Sequence, residues 1–537
     1  MNDLAANQPP PLEGYDAYAA DAWLASAVER ARVGWVAAAA SDLGKFVGSA
    51  EGQALAVAAN RRIPELRTHD RFGNRIDFVE YDPSYHALMG RAIGASVHSL
   101  AWKREEGGFS ARAVLFYLWN QLEQGTACPV TMTFASIPVM AHAPAVEREW
   151  RAKVLADAYD PRPLPVASKP GATIGMAMTE KQGGSDLRAV QSRAEKSADG
   201  YRITGHKWFC SAPMSDAFFT LARLPEGVTC FFVARSLPDG TRNALRIQRL
   251  KDKIGNRSNA SSEIEYDATF AQLVGEPGRG IATLIEMAHH TRFDIVVGIA
   301  GMMRAALRQA IHHARHREAF GKRLASHPLM ANVLADLALE SEAATRLALR
   351  LARAFDASAR DEGERELQRV LTPIAKYWLC KRMTPVAVEA MECLGGNGYV
   401  EEAPLARLYR EAPLNGIWEG SANVICLDVL RAMARAPRSM QALRDEIAAA
   451  KDPRIDACLA GAMRMAADPA LAEAQARTLV ETLATCMQAC LMARESAPAA
   501  ANAFVESRLE ARGCGTRSFG TLASGTDFGA IVDRAGN

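Results

Sequence analysis

The stretch "YRITGHKWF" (residues 201–209) mixes β-branched and aromatic residues in a short run, and three more stretches like it follow. They are "AFFTLARL" (217–224), "TCFFVAR" (229–235) and "SEIEYDATF" (262–270), separated by Gly, Pro, Asp and Asn. Runs of this length and chemistry, punctuated by turn residues, predict several antiparallel strands across roughly 172–275, as a small barrel or sandwich. Upstream, the Pro/Gly-rich "DPRPLPVASKPGATIG" (160–175) marks a boundary. Before it, residues 16–60 and 84–125 are rich in Ala, Leu and Glu with apolar spacing near the helical period. Beyond Gly280, residues 281–318, 328–358, 364–393 and 420–436 read as long amphipathic helices with short connections, the pattern of a bundle. The tail reads as helical to about residue 511 and is Gly/Ser-rich thereafter. The expected fold is therefore α+β and multidomain. A helical N-terminal domain (1–170) precedes a β domain (171–278), a four-helix bundle (279–436) and a helical extension (437–537).

A chain of 537 residues exceeds what one core supports. Its 49% hydrophobic and 23% charged content is that of a globular enzyme. The 63 basic and 61 acidic residues leave a net charge of +2, a balance that favours neither nucleic acid nor an anionic membrane. "MNDLAANQPPPLEGYD" has neither the basic nor the apolar region of a secretory signal, which predicts a cytoplasmic protein. No membrane span is expected, because even "FDIVVGIAGMMRAAL" (293–307) is interrupted by Arg304. The ten cysteines are scattered, Cys486 and Cys490 lying closest, and read as reduced thiols. The histidines (His289, His290, His312, His313 and His316) lack carboxylates at metal spacing, so no metal is expected.

Four polar stretches stand out. "MTEKQGGSD" (178–186) offers hydroxyls and a Gly-Gly-Ser nest after a strand, suited to a flavin ring or a phosphate, or equally to a polar turn. "GHKWFCS" (205–211) ends a strand in two aromatics, which suit either a barrel core or a ring platform. The glycines of "ECLGGNGYV" (392–400) either cap a helix or admit a diphosphate to the backbone. In "NGIWEGSAN" (415–423) a single carboxylate, Glu419, sits among uncharged neighbours that raise the cost of ionising it, as suits a catalytic base. An ordinary surface turn reads the same way. None of these has the strand–GxGxxG–helix context of a Rossmann site.

Taken in order, with "REAFGKRL" (317–324) between them, these stretches resemble the FAD-dependent acyl-CoA dehydrogenase family over roughly residues 80–436. "CPVTMTFA" (128–135), "RLKDKIGNRSNAS" (249–261), "TRFD" (291–294) and "IWEGS" are similar to its AidB-type branch, associated with the bacterial alkylation response. The resemblance implies FAD as cofactor, an acyl-CoA-like substrate and a homotetramer. It makes Glu419 the base that removes the α-proton while flavin N5 takes the β-hydride, with Arg292 beside it to keep it ionised or orient it. It also implies flavin contacts from Met176, Met178, Thr179, Gly184, Ser185, Phe209 and Ser211. Gly395 and Gly396 are then at the diphosphate, Asn423 toward the adenine end, Ser421 a further cofactor contact, and Arg317 and Phe320 at the FAD of a neighbouring subunit. Common members carry Thr-Ser-Gln after the Glu-Gly pair, whereas this chain has Ser421, Ala422 and Asn423, and Trp418 is bulky beside the base. Both departures bear on the substrate more than on the flavin.

Three functions remain open: an acyl-CoA dehydrogenase-like oxidoreductase, a DNA-associated protection protein, and a flavin oxidase of nitrogenous or alkylating compounds. The AidB branch is associated with non-specific duplex DNA binding, in part through its C-terminal extension. Residues 441–537, however, hold ten basic against twelve acidic side chains, a net of −2. The DNA candidates are Arg508, Arg512 and Arg517, the first two on one helix face, with Glu510 between them. A second basic stretch, Arg242, Arg246, Arg249, Lys251, Lys253 and Arg257, lies in the β domain and overlaps a loop that the whole family shares.

Overall fold

A computed structural model describes residues 7–467, 469–510 and 518–536. The chain forms two compact units: Met1–Ala50, Phe109–Leu122 and Arg292–Asn537 make one, and Glu51–Gly108 with Glu123–Thr291 make the other.

The second unit is built on a seven-stranded sheet. In order along the sheet its strands are Ile174–Ala177, Ala217–Leu224, Arg193–Ser197, Gly200–Ser211, Ser261–Val274 and Gly227–Ala234, with Leu245–Leu250 paired to Ser261–Val274. Gly227–Ala234 also pairs with Ala217–Leu224, which closes the sheet on itself as a barrel. The aromatic runs bury both faces of the sheet: Phe218, Phe219, Phe231, Phe232 and Tyr266 are all buried, with Phe232 packed against Phe219 and against Trp150 of the helix Pro144–Val154. The pairing departs from an all-antiparallel reading around Ala217–Leu224, to which Ile174–Ala177 runs parallel and Arg193–Ser197 pairs in parallel at Arg193 and Arg223. The crossover between those strands makes such a partner invisible to local pattern. A hairpin that the sequence reading assigned to no element, Glu65–His69 with Arg75–Glu80, belongs to this unit. Its buried Asp77 accepts from Arg75 Nε, Arg242 Nη1 and the backbone N–H of Ile247, which ties the hairpin to Leu245–Leu250.

The first unit is helical. Pro328–Ala357, Glu362–Leu394 and Ala422–Arg435 form its core with the part of Gly280–His316 from Arg292 onward. Pro328 opens its helix where its missing N–H is harmless, and the Asp361 side chain caps the next by accepting from Glu364 N. The tail helices Pro437–Ala448 and Ala476–Glu495 pack on this core, burying Leu443, Ile447, Leu483 and Met487. Pro328–Ala357 is consequently covered along most of its length, its charged residues included. Those charges are matched across the contact. Arg350 bridges Glu364 and Glu446, Arg353 meets Glu495, and Arg382 meets Glu340.

Arg508 belongs to the same layer, and this corrects its assignment as a DNA contact. Its guanidinium donates to Asp336 at 2.6 Å and Glu340 at 3.2 Å, and only 10% of the side chain is exposed. A guanidinium turned inward onto two buried carboxylates, and so little exposed, is poorly placed to reach a phosphate. Arg512 and Arg517 lie outside the described residues. The basic stretch of the β unit is also neutralised in part, through Arg242 to Asp77, Arg246 to Asp267, and Arg249 and Lys251 to Glu263. Among the described residues no helix is long and apolar enough to cross a membrane.

Candidate active site

Two motifs meet in the β unit. The chain leaves Ile174–Ala177, where Met176 is buried opposite Phe219, and turns through Met178, Thr179 and the Gly-Gly-Ser loop. Trp208 N donates to Thr179 O at 2.8 Å and Lys181 N to His206 Nε2 at 3.0 Å, so the loop lies on the end of Gly200–Ser211. Gly184 packs against Thr179: a Cβ there would stand 2.6 Å from Thr179 Oγ1. Beside the loop, Phe209 is 49% exposed, and Ser211 Oγ lies 3.1 Å from Ser261 Oγ. The Lys251 ammonium sits 3.4 Å from the centre of the Trp208 ring.

What anchors the loop is a buried ion pair that the sequence reading did not single out. Glu180 and Lys207 are both fully buried and bond at 2.7 Å. Glu180 also accepts from Ser192 Oγ and from the backbone of Gln191 and Ser192. Burial pushes the Glu180 carboxyl up, but the Lys207 ammonium and these donors outweigh it and leave the carboxyl at about 2. Opposite charges in two quoted motifs, one on each side of the contact, were the available signal. Because the folded value lies below that of an ordinary carboxylate, the stabilisation is complete above pH 5 and drains as pH falls toward 2. Glu180→Gln is therefore expected to lower stability at neutral pH and to flatten its decline between pH 5 and 2, read by acid unfolding of both proteins.

The other unit carries Glu419. Glu419 is non-glycine at φ +57, partly buried, between Trp418 and Gly420. Such backbone costs on the order of 1–3 kcal/mol, and residues held in it cluster at functional sites. Gly420 takes φ +103, a backbone conformation that side chains rarely adopt, and lies close to Arg292: an added Cβ would stand 3.2 Å from Arg292 Nη2. Arg292 Nε donates to Glu419 O at 2.8 Å, and Arg292 Nη1 reaches Asp428 at 3.1 Å. The arginine thus grips the main chain of the base loop. Trp418 Nε1 donates to Asn415 Oδ1 at 3.0 Å, which fixes the indole beside the loop. A second cation, unread in the sequence, is Lys376 in "LTPIAKYWLC" (371–380), a lone charge among apolar neighbours. Its ammonium donates to Trp418 O at 3.0 Å and Gly420 O at 2.5 Å.

Ser421 opens the helix Ala422–Arg435 without a side-chain cap bond, and Asn423 Oδ1 accepts from Arg477 Nε of the tail at 2.9 Å. Gly395, at φ +60, ends Glu362–Leu394, and neither Gly395 nor Gly396 has an atom within 4 Å of the space a Cβ would take. Arg317 precedes the hairpin Glu318–Ala319/Lys322–Arg323, whose tip presents Phe320 almost wholly to solvent, at 95% exposure. Arg317 and Glu318 hold the N-terminal arm through Asn7.

With a barrel unit, a helical unit and one carboxylate on a constrained loop, the chain belongs to the acyl-CoA dehydrogenase family, whose members are FAD-dependent oxidoreductases. Residues 7–161 match the adaptive response protein AidB N-terminal domain, 175–269 the acyl-CoA dehydrogenase middle domain, and 278–434 the acyl-CoA dehydrogenase C-terminal domain. AidB of Escherichia coli (strain K12), whose name places it provisionally among the acyl-CoA dehydrogenases, is 48% identical over 431 residues, 80% of each chain. The Caenorhabditis elegans ACDH-11 structure in complex with C11-CoA superposes with a TM-score of 0.86 at 23% identity, covering 97% of this chain and 95% of that one. The acyl-CoA dehydrogenase of Bacillus anthracis complexed with FAD gives 0.64 at 15% identity, covering 79% and 81%.

Proposed function

We propose that this protein binds FAD and oxidises an acyl-CoA-like thioester, with Glu419 as the base. The observation that carries the reading is the left-handed backbone of Glu419, which places one carboxylate on a loop whose carbonyls are held by Arg292 and Lys376. The β unit suits a flavin. The half-exposed Phe209 ring, the Thr179 and Ser211 hydroxyls and the Gly183–Gly184 backbone match an extended aromatic ring system edged with hydrogen-bonding groups. Met176, Met178, Thr179, Gly184, Ser185, Phe209 and Ser211 would hold that ring, Gly395 and Gly396 the diphosphate and Asn423 the adenine end, with Ser421 a further contact. Bound there, FAD supplies the acceptor for the hydride that leaves the β-carbon. Glu419 takes the proton from the α-carbon, which the neighbouring thioester carbonyl makes acidic. Arg292 keeps the loop in register, and the Trp418 indole walls the space beside the carboxylate and narrows the choice of acyl group. Phe320, exposed at a hairpin tip, and Arg317 just before that hairpin suit contact with a neighbouring copy in a homotetramer. Purified protein is expected to be yellow and to release FAD, not FMN, on denaturation. Colourless protein that FAD fails to reconstitute would remove the reading.

Non-specific duplex DNA binding in an alkylation response is a second reading, supported by the AidB-type N-terminal match. It must draw on cations other than Arg508. Fluorescence anisotropy of a labelled duplex across salt concentrations tests it, since counterion release requires affinity to fall with salt.

A further inference from the structure

We propose that Lys376 is a positioning residue for Glu419: it clasps the carbonyls on both sides of the base and sets a fixed positive charge beside the carboxylate. The inference rests on the reading of Glu419 as the base. Lys376 is 1% exposed, on the helix Glu362–Leu394. Its Nζ reaches Trp418 O and Gly420 O, while the intervening Glu419 O is taken by Arg292. Two carbonyls two residues apart converge on one ammonium, and the third turns to a different cation, because Glu419 reverses the chain at φ +57. The clasp therefore depends on the constrained backbone and in turn holds it.

The charge matters separately from the hydrogen bonds. Among the described residues, the hydrogen bonds of Lys376 go to these two carbonyls and to no carboxylate. A buried cation without a directly bonded anion is costly, and a neutral donor would serve two carbonyls as well. The charged and titratable groups around it are Cys380, Arg292, Glu419 and Lys381, with Asp428 engaged by Arg292. Burial lowers the Lys376 pKa first, Arg292 and Lys381 add to this, and Cys380 and Glu419 oppose it. Attraction between Lys376 and Glu419 is mutual, so the ammonium favours the ionised form in which Glu419 can accept a proton.

The test uses FAD-loaded protein and three variants, Lys376→Met, Lys376→Gln and Lys376→Arg. Amide hydrogen exchange over residues 416–423 reports the clasp without any substrate. Lys376→Met, with no donor, is expected to speed exchange in that segment. Lys376→Gln keeps two donors and is expected to leave it near wild type. The second readout is the pH dependence of anaerobic flavin bleaching by undecanoyl-CoA. Loss of the charge in Lys376→Met and Lys376→Gln moves the acidic limb to higher pH, with about a tenfold lower rate below the limb for each unit moved. Lys376→Arg restores the limb. A purely structural defect would lower the rate alike at every pH. Should Lys376→Met fail to fold, Lys376→Gln alone decides the charge, and a limb unmoved in it overturns the proposal. Unchanged exchange in a folded Lys376→Met also overturns it. Glu419→Gln protein bleaching at the wild-type rate would show that the base assignment has failed, and the exchange result then judges the clasp on its own.

Discussion

Glu419→Gln is expected to retain FAD and to slow flavin reduction by an acyl-CoA substrate about 10²–10⁴-fold, the usual contribution of a positioned base. The substitution is nearly isosteric, and the contacts that hold the loop are untouched. Arg292 and Lys376 bind the carbonyl oxygens of Trp418, Glu419 and Gly420, so the side chain can change while the main chain stays in place. What is lost is the group that accepts the α-proton. Stopped-flow reduction under anaerobic conditions measures the step. Wild-type kinetics in the variant would mean that the proton leaves by another route.

Arg508→Ala is expected to cost about 3–5 kcal/mol of stability, the range for breaking a buried ion pair from one side. Removing the guanidinium strands Asp336 and Glu340, both buried on Pro328–Ala357, with Arg382 left to serve Glu340 alone. Burial raises the Glu340 carboxyl, but Arg382 and Arg508 together bring it below the ordinary value, so the site is built for charged carboxylates. Urea unfolding followed by tryptophan fluorescence, to which Trp378 contributes with its indole bonded to Gln488 of the tail, reports the loss. A surface arginine serving DNA would instead leave stability within about ±0.5 kcal/mol.

The contrast at Arg508 shows what the chain discloses and what it withholds. Its spacing from Arg512 suggested a shared basic face. Its partners are Asp336 and Glu340, some 170 residues upstream, and nothing local announces them. The barrel was more legible, because aromatic and β-branched runs such as "AFFTLARL" declare strands whatever their partners are. The parallel partner of Ile174–Ala177 was not, since the crossover separates it by some forty residues. The hairpin at 65–80 was missed for another reason: "ELRTH" and "RIDFVE" are polar strands, and their support is Asp77 held by Arg242 and Ile247 N far along the chain. At the site, Glu419 stood out because it is a lone carboxylate in an uncharged stretch. Lys376, equally alone among apolar residues, carries no motif, and its function depends on a carbonyl pair that only the folded loop presents.

Removal of the α-proton of an acyl-CoA by a carboxylate on this loop, with the hydride passing to FAD, is open to direct measurement by anaerobic titration. FAD-loaded protein is titrated with acyl-CoAs of graded chain length while the flavin absorption is followed. At least one acyl-CoA is expected to bleach the flavin of the wild type and to fail to do so in Glu419→Gln on the same timescale. A wild-type flavin that stays oxidised with every acyl-CoA would contradict it.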